Sequence, residues 1–233
     1  MRPVISFFKL AFFGVWSFLA ILLGGILYLV RVKSGMAWIA KYFWSPFVIP
    51  LIGAKLKIEN SNRIDPKQAY LIMANHNSFI DIPILFKSMP FYTYFIAKKE
   101  IKKIPLLGWY VGAYGMIYID RSDRTKAQTS IARAAKLIEE GKHVIIFPEG
   151  TKSKDGKLGP FKKGGFHLAE QSNVPILPIK IEGARRVWPN KQPFKLGFGT
   201  ITVKIGEPIS IEELATMEFQ TRVLHVRSII ENL

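Results

Sequence analysis

A histidine and an aspartate five positions apart, His76 and Asp81 in Asn75-His76-Asn77-Ser78-Phe79-Ile80-Asp81, directly follow the apolar run Tyr70-Leu71-Ile72-Met73-Ala74. A neutral imidazole held by a carboxylate through one ring nitrogen presents the other as a base toward a hydroxyl. In one straight helix the two side chains would stand about 140° apart and could not meet. They meet if the chain leaves a buried strand at His76 and starts a helix near Ser78, and Ser78-x-x-Asp81 has the form of a capping box. Taken alone, His76 is most simply a loop residue and Asp81 an N3 cap residue favoured in a first helical turn.

Three further blocks follow. Gly115-Met116-Ile117-Tyr118-Ile119-Asp120-Arg121 ends an apolar strand in an acid–base pair. Phe147-Pro148-Glu149-Gly150-Thr151-Lys152-Ser153 leaves the buried run His143-Val144-Ile145-Ile146, and Val174-Pro175-Ile176-Leu177-Pro178-Ile179 is an apolar strand punctuated by proline. These blocks in this order resemble the glycerolipid acyltransferases, specifically the 1-acyl-glycerol-3-phosphate acyltransferases. The resemblance covers roughly residues 55–210: His-x4-Asp is matched at His76 and Asp81, Asp-Arg at Asp120 and Arg121, and Phe-Pro-Glu-Gly-Thr-Arg-Ser at six of seven positions. The departure is Lys152 where the family has Arg. Lysine keeps the charge but lacks the planar fork that grips a phosphate at two points, which leaves the acceptor head group open.

The resemblance implies transfer of a fatty acyl group from acyl-CoA or acyl carrier protein to the free hydroxyl of lysophosphatidic acid, giving phosphatidic acid. His76 would be the general base and Asp81 its orienting partner. Arg121, Glu149, Gly150, Thr151 and Lys152 would shape the acceptor site, with Lys99 and Lys103 as further phosphate candidates. The chain contains no cysteine and no Gly-x-Ser-x-Gly elbow, so the acceptor is expected to attack directly, without an acyl-enzyme. No metal or cofactor beyond the acyl donor is expected: the histidines at 76, 143, 167 and 225 have no metal-ligand spacing. The stretch from Gly150 to Lys157 fails as a P-loop in spacing and in the residue after the lysine. Rival readings are an acyltransferase for another lysolipid (lyso-ornithine lipid or a lysophospholipid), a lipid esterase, and a non-catalytic basic membrane-binding protein.

The elements that must position these residues are legible as alternation. Strands are expected at 55–60, 69–75, 92–97, 115–120, 143–147, 176–182 and 200–206, and helices at 78–88, 123–140, 160–172 and 209–231, the last opened by Ser210-x-x-Glu213. This pattern predicts an α/β fold with a mixed, largely parallel sheet flanked by helices. Ligands in such sheets collect where strands end and helices begin, which is where His76 and Glu149 fall. At 233 residues, one good-sized domain is expected.

Ahead of it, residues 10–30 carry no charge and as a helix would be about 30 Å long, near the hydrocarbon thickness of a bilayer. Arg2 and Lys9 precede them and Arg31 and Lys33 follow, so charge bias gives no orientation. In the next block, 36–54, Pro46 and Pro50 are expected to break any helix, and Trp38, Tyr42, Phe43 and Trp44 favour the lipid–water boundary. Residues 1–54 thus read as a membrane-associated helical anchor and 55–233 as the α/β domain. The net charge of +16 suits anionic membrane lipids and phosphorylated substrates; no nucleic-acid module is visible. The expected location is the cytoplasmic face of a bacterial inner membrane.

Overall fold

The structure, a computed structural model, describes residues 2–32, 34–120 and 123–233. Seven strands form one sheet: β1 (Ala54–Glu59), β2 (Leu71–Ala74), β3 (Thr93–Lys98), β4 (Ile117–Ile119), β5 (His143–Ile146), β6 (Ile176–Glu182) and β7 (Gly199–Ile205). Their order is β1-β7-β6-β2-β5-β3-β4, parallel throughout except for the antiparallel pair β6 and β7. Each expected strand is present. The central ones are apolar runs buried on both faces, as a parallel sheet covered by helices requires; Leu71 through Ala74 are fully buried.

Among the described residues ten α-helices surround it: α1 (Arg2–Leu29), α2 (Gly35–Trp38), α3 (Ser45–Leu51), α4 (Asp81–Ser88), α5 (Leu107–Tyr114), α6 (Arg124–Glu139), α7 (Gly164–Ser172), α8 (Ala184–Val187), α9 (Ile211–Ala215) and α10 (Phe219–Asn232). Strand side chains alternate between two cores. Ile72, Ala74, Ile145 and Leu177 face α2 to α5, and Leu71, Met73, Val144 and Ile146 face α6, α7 and α10.

The region 36–54 differs from expectation. Neither proline breaks the helix: α2 runs into a π-helical turn, Ile39–Trp44, and on into α3. The wider turn puts Pro46 in the first turn of α3, where its missing N–H costs little. Ser45 Oγ donates to the Ala40 carbonyl at 2.6 Å. One side of this rod is buried (Met36, Ile39, Ala40, Val48, Ile49), while Trp38 and Tyr42 stay exposed.

The expected C-terminal helix is two. Ser210 caps α9 by accepting from Glu213 N–H, but Glu218 is extended and α10 begins after it. Helix α5 was not expected: Leu-Gly-Trp-Tyr-Val-Gly-Ala-Tyr has no polar face, so no helical period shows.

Helix α1 is long and apolar enough to cross a membrane, with 17% of its apolar window buried. It lies along the domain. Ser6 Oγ accepts from Leu196 N–H, Phe13 meets Trp188 edge-on at 5.2 Å, Trp16 stacks on Phe43 and Phe47, and Gly24 lies beneath Tyr110.

Candidate active site

Strands β2 and β5 are parallel neighbours with Met73 opposite Ile146. Continuing that register past both strand ends sets His76 level with Glu149, and the His76 backbone N–H donates to Glu149 Oε1 at 2.9 Å. The other carboxylate oxygen, Oε2, accepts from Gly159 N–H at 2.8 Å. Glu149 is 6% exposed. Burial raises its carboxyl above its ordinary value, against the two N–H bonds that favour the charge.

Asp81 is fully buried at the start of α4. Its Oδ2 accepts from the backbone N–H of Asn77 at 2.7 Å and of Ser78 at 2.8 Å, and lies 2.8 Å from His76 Nδ1. A proton on Nδ1 completes the third bond and leaves Nε2 as the basic nitrogen. The imidazole is stacked on Phe147, with ring centroids 4.0 Å apart and planes 14° from parallel. The ring is thus fixed in the plane and at the edge. A histidine held this way can take a proton from a hydroxyl and carry the resulting charge beside Asp81.

The capping box at Ser78 is half made. Asp81 reaches back to Ser78 N–H, but Ser78 Oγ donates across to the Trp188 carbonyl at 2.7 Å. That bond brings in the segment after α8, which the sequence reading did not flag. Asn190 Nδ2 donates to both the Asn77 and Ser153 carbonyls, at 2.7 and 3.1 Å, and Trp188 packs on Phe79 and on Phe13 of α1. Asn75 was missed as well. Its amide exchanges two bonds with the Ile181 backbone, carrying the β2–β6 pairing one residue beyond the strand. The one signal was an amide residue at the mouth of an apolar strand.

Of the expected phosphate-site residues, Gly150 (φ +76) makes the tight turn after Phe147, and Thr151 is exposed beyond it. The Lys152 ammonium sits 2.8 Å above the centre of the Phe79 ring. Burial holds its pKa down to about 8; Asp81 pulls it up and Lys98 pushes it down. Lys98, at the end of β3, is within electrostatic reach of Lys152. Lys99 instead pairs with Asp120 at 2.8 Å, and Lys103 is exposed in the 3-10 turn Lys99–Lys103. Arg121 lies outside the described residues. Beside Asn75 and Asn77 opens a cavity of about 540 Å³ whose lining includes Lys157, Lys180, Arg185 and Arg227, against Glu182 and Glu231.

Comparison with known proteins places this arrangement. The Acyltransferase family model matches residues 55–182, which contain the His76, Asp81 and Glu149 group. The chain belongs to the acyltransferase family and, within it, to the 1-acyl-sn-glycerol-3-phosphate acyltransferase group. The protein of that name from Saccharomyces cerevisiae is 32% identical over 92% of this chain and 70% of its own length. The chloroplastic protein BAT2 of Brassica napus, of the same name, is 36% identical over 74% of this chain; the match covers about half of that relative, 49%. The crystal structure of the 1-acyl-sn-glycerophosphate (LPA) acyltransferase PlsC from Thermotoga maritima superposes with a TM-score of 0.84 at 25% identity, over 100% of this chain and 95% of that one.

Proposed function

We propose that the chain transfers a fatty acyl group from a thioester donor to the sn-2 hydroxyl of 1-acyl-glycerol-3-phosphate, giving phosphatidic acid. The observation that carries this is the buried Asp81 carboxylate bonded to Nδ1 of a histidine whose ring is stacked and whose backbone is braced. His76 Nε2 takes the proton as the acceptor hydroxyl attacks the thioester carbonyl. It then delivers that proton to the departing sulfur as the tetrahedral intermediate collapses to ester and free thiol. Asp81 stabilises the imidazolium between these steps, and such base assistance is worth roughly 10²–10⁴-fold.

Lys152 and Lys98, with Arg121, Gly150 and Thr151, receive the acceptor's phosphate; Lys99 and Lys103 add basic charge along the approach. Glu149 serves the acceptor site by holding His76 and the 159 loop in place. The basic cavity beside Asn75 suits the phosphates of acyl-CoA, and acyl carrier protein is the alternative donor. Residues 1–54 are the membrane-associated segment and 55–233 the acyltransferase domain. Seating α1 in the cytoplasmic leaflet places the site where both donors are found. Lys152 in place of Arg favours one second reading, in which the acceptor is another lysolipid.

The test is lipid mass spectrometry on the detergent-purified protein with palmitoyl-CoA or palmitoyl carrier protein and a panel of lysolipids, with His76→Ala in parallel. Phosphatidic acid formed by the wild type and lost in the variant is expected. Product from a different lysolipid alone overturns the acceptor, and no product with either donor overturns the enzyme.

A further inference from the structure

Apart from the outer side of α1, an apolar run is exposed where the 3-10 turn Lys99–Lys103 joins α5. Ile104, Leu106, Leu107 and Trp109 are 47%, 48%, 37% and 48% exposed, and Pro105 between them is exposed too. Scattered apolar side chains are ordinary on a protein surface, whereas a contiguous group marks an interaction site.

This group is held rigidly. Leu107 N–H donates to the Pro105 carbonyl at 2.6 Å, and Gly108 and Tyr110 donate to the carbonyls of Ile104 and Leu106, each at 2.8 Å. The Tyr118 hydroxyl donates to the Gly108 carbonyl. Gly108 allows no side chain, since a Cβ would lie 2.4 Å from the Lys102 carbonyl oxygen. Leu106 takes φ +60 and ψ −51, a backbone conformation that residues with side chains rarely adopt. Strain of this kind persists only where the surroundings enforce it, and here it keeps a leucine pointed at solvent.

The turn is also registered to α1 and to α2. Trp109 meets Tyr28 edge-on at 5.9 Å and packs on Gly25, while the Tyr110 hydroxyl donates to the Met36 carbonyl at 3.0 Å. Its apolar surface therefore continues that of α1, where Phe8, Phe12, Leu19 and Ile26 are exposed. Lys102 and Lys103, both exposed, precede it. An apolar tip with a tryptophan and flanking lysines suits a bilayer: rings at the interface, ammonium groups at anionic head groups.

We propose that residues 104–109 form a second membrane-inserting element, a rigid wedge that enters the outer acyl region of an anionic bilayer beside α1 with Lys102 and Lys103 at the phosphates. The wedge and α1 together fix how the domain sits on the leaflet. The turn leads back to the end of β3, so a lipid leaving the bilayer along it reaches Lys98 and Lys152. That last consequence rests on the proposed lysolipid acceptor; the wedge does not.

The chain has no cysteine, so each introduced thiol is its only labelling site. Leu106→Cys, Leu19→Cys on the outer side of α1 and Leu224→Cys on α10, across the sheet, are each coupled to an environment-sensitive fluorophore. They are then bound to phosphatidylcholine–phosphatidylglycerol vesicles with brominated acyl chains. Quenching of several-fold is expected at 106 and 19 and none at 224. Quenching at 19 without 106 overturns the wedge and leaves the seating of α1 intact; quenching at neither overturns both. An emission change at 106 that depends on protein concentration in detergent, with no quenching on vesicles, assigns the turn to contact between copies and overturns the proposal. Leu107→Asp serves as the unlabelled check. It is expected to weaken vesicle binding about tenfold at unchanged melting temperature, whereas Leu224→Asp leaves both unchanged.

Discussion

Glu149 grips the backbone of His76 rather than its ring: Oε1 accepts from His76 N–H at 2.9 Å while Oε2 accepts from Gly159 N–H at 2.8 Å. One buried carboxylate thereby ties the turn after β2 to its own turn after β5 and to the loop at 159. The acidic residue of the Phe-Pro-Glu-Gly block acts on the proposed base through position. Asp81 acts on the same histidine through charge.

Glu149→Gln separates these roles. A glutamine keeps the shape but replaces one acceptor oxygen with an NH2 that faces an N–H donor. Leaving a buried backbone donor unsatisfied costs about 1–3 kcal/mol, which at about 2–4 °C per kcal/mol lowers the melting temperature by several degrees. Displacement of His76 is expected to reduce kcat tenfold or more. Thermal unfolding in detergent and steady-state kinetics on the same preparation check both. An unchanged Tm would show that the brace carries no weight.

Asn190→Ala removes the two bonds that join the Asn77 and Ser153 carbonyls. These belong to the turns on either side of the candidate site, so kcat is expected to fall about tenfold, with a Tm loss of a few degrees. Unchanged kcat with lowered Tm would make Asn190 a structural tie only.

Lys152 predicts a pH dependence. Its pKa, held down to about 8, leaves it charged below that pH and neutral above. The acceptor's monoester phosphate is already doubly charged there, with its second pKa near 6. Loss of a charge-assisted hydrogen bond, worth about 1.5–3 kcal/mol, is expected to raise KM for the lysolipid about tenfold or more between pH 7.5 and about 9.5. Lys152→Arg, whose guanidinium does not titrate in this range, is expected to flatten the profile. Parallel profiles for the two proteins would remove Lys152 from phosphate binding.

The central strands were legible because each is a short apolar run bounded by polar, glycine or proline residues, which a parallel sheet buries on both faces, and the edge-side strands β1 and β7 because apolar and polar residues alternate along them. Helix α5 was not legible, since Leu107–Tyr114 has no polar side to give it a period. Pro46 looked like a break because a proline's effect depends on the turn before it, and a π-helical turn there is invisible in composition. Within the site, the spacing of His76 and Asp81 raised their pairing, and the order of the four blocks gave it weight. Which lysine of the run pairs with Asp120 is set by the way β3 ends, and it is Lys99. The bonds from Ser78 and Asn190 link segments far apart in sequence, and no local pattern announces them.

Asp81→Asn addresses the chemistry most directly. Oδ2 serves three donors, and Oδ1, buried, has no hydrogen-bond partner among the described residues. An asparagine oriented to keep its oxygen at the three donors puts its NH2 where Oδ1 was, a buried donor with nothing to receive it. The flipped amide instead faces three N–H groups with another donor. Either way the fold loses about 1–3 kcal/mol. In the proposed mechanism the His76 imidazolium also loses its counter-charge, so kcat is expected to drop roughly 10²–10⁴-fold. The KM for the lysolipid should change little, because Asp81 is fully buried behind the His76 ring it bonds. Steady-state kinetics with lysophosphatidic acid and palmitoyl-CoA measures the split. A variant that raises KM at constant kcat would remove Asp81 from the proton transfer and make it a residue that only shapes the site.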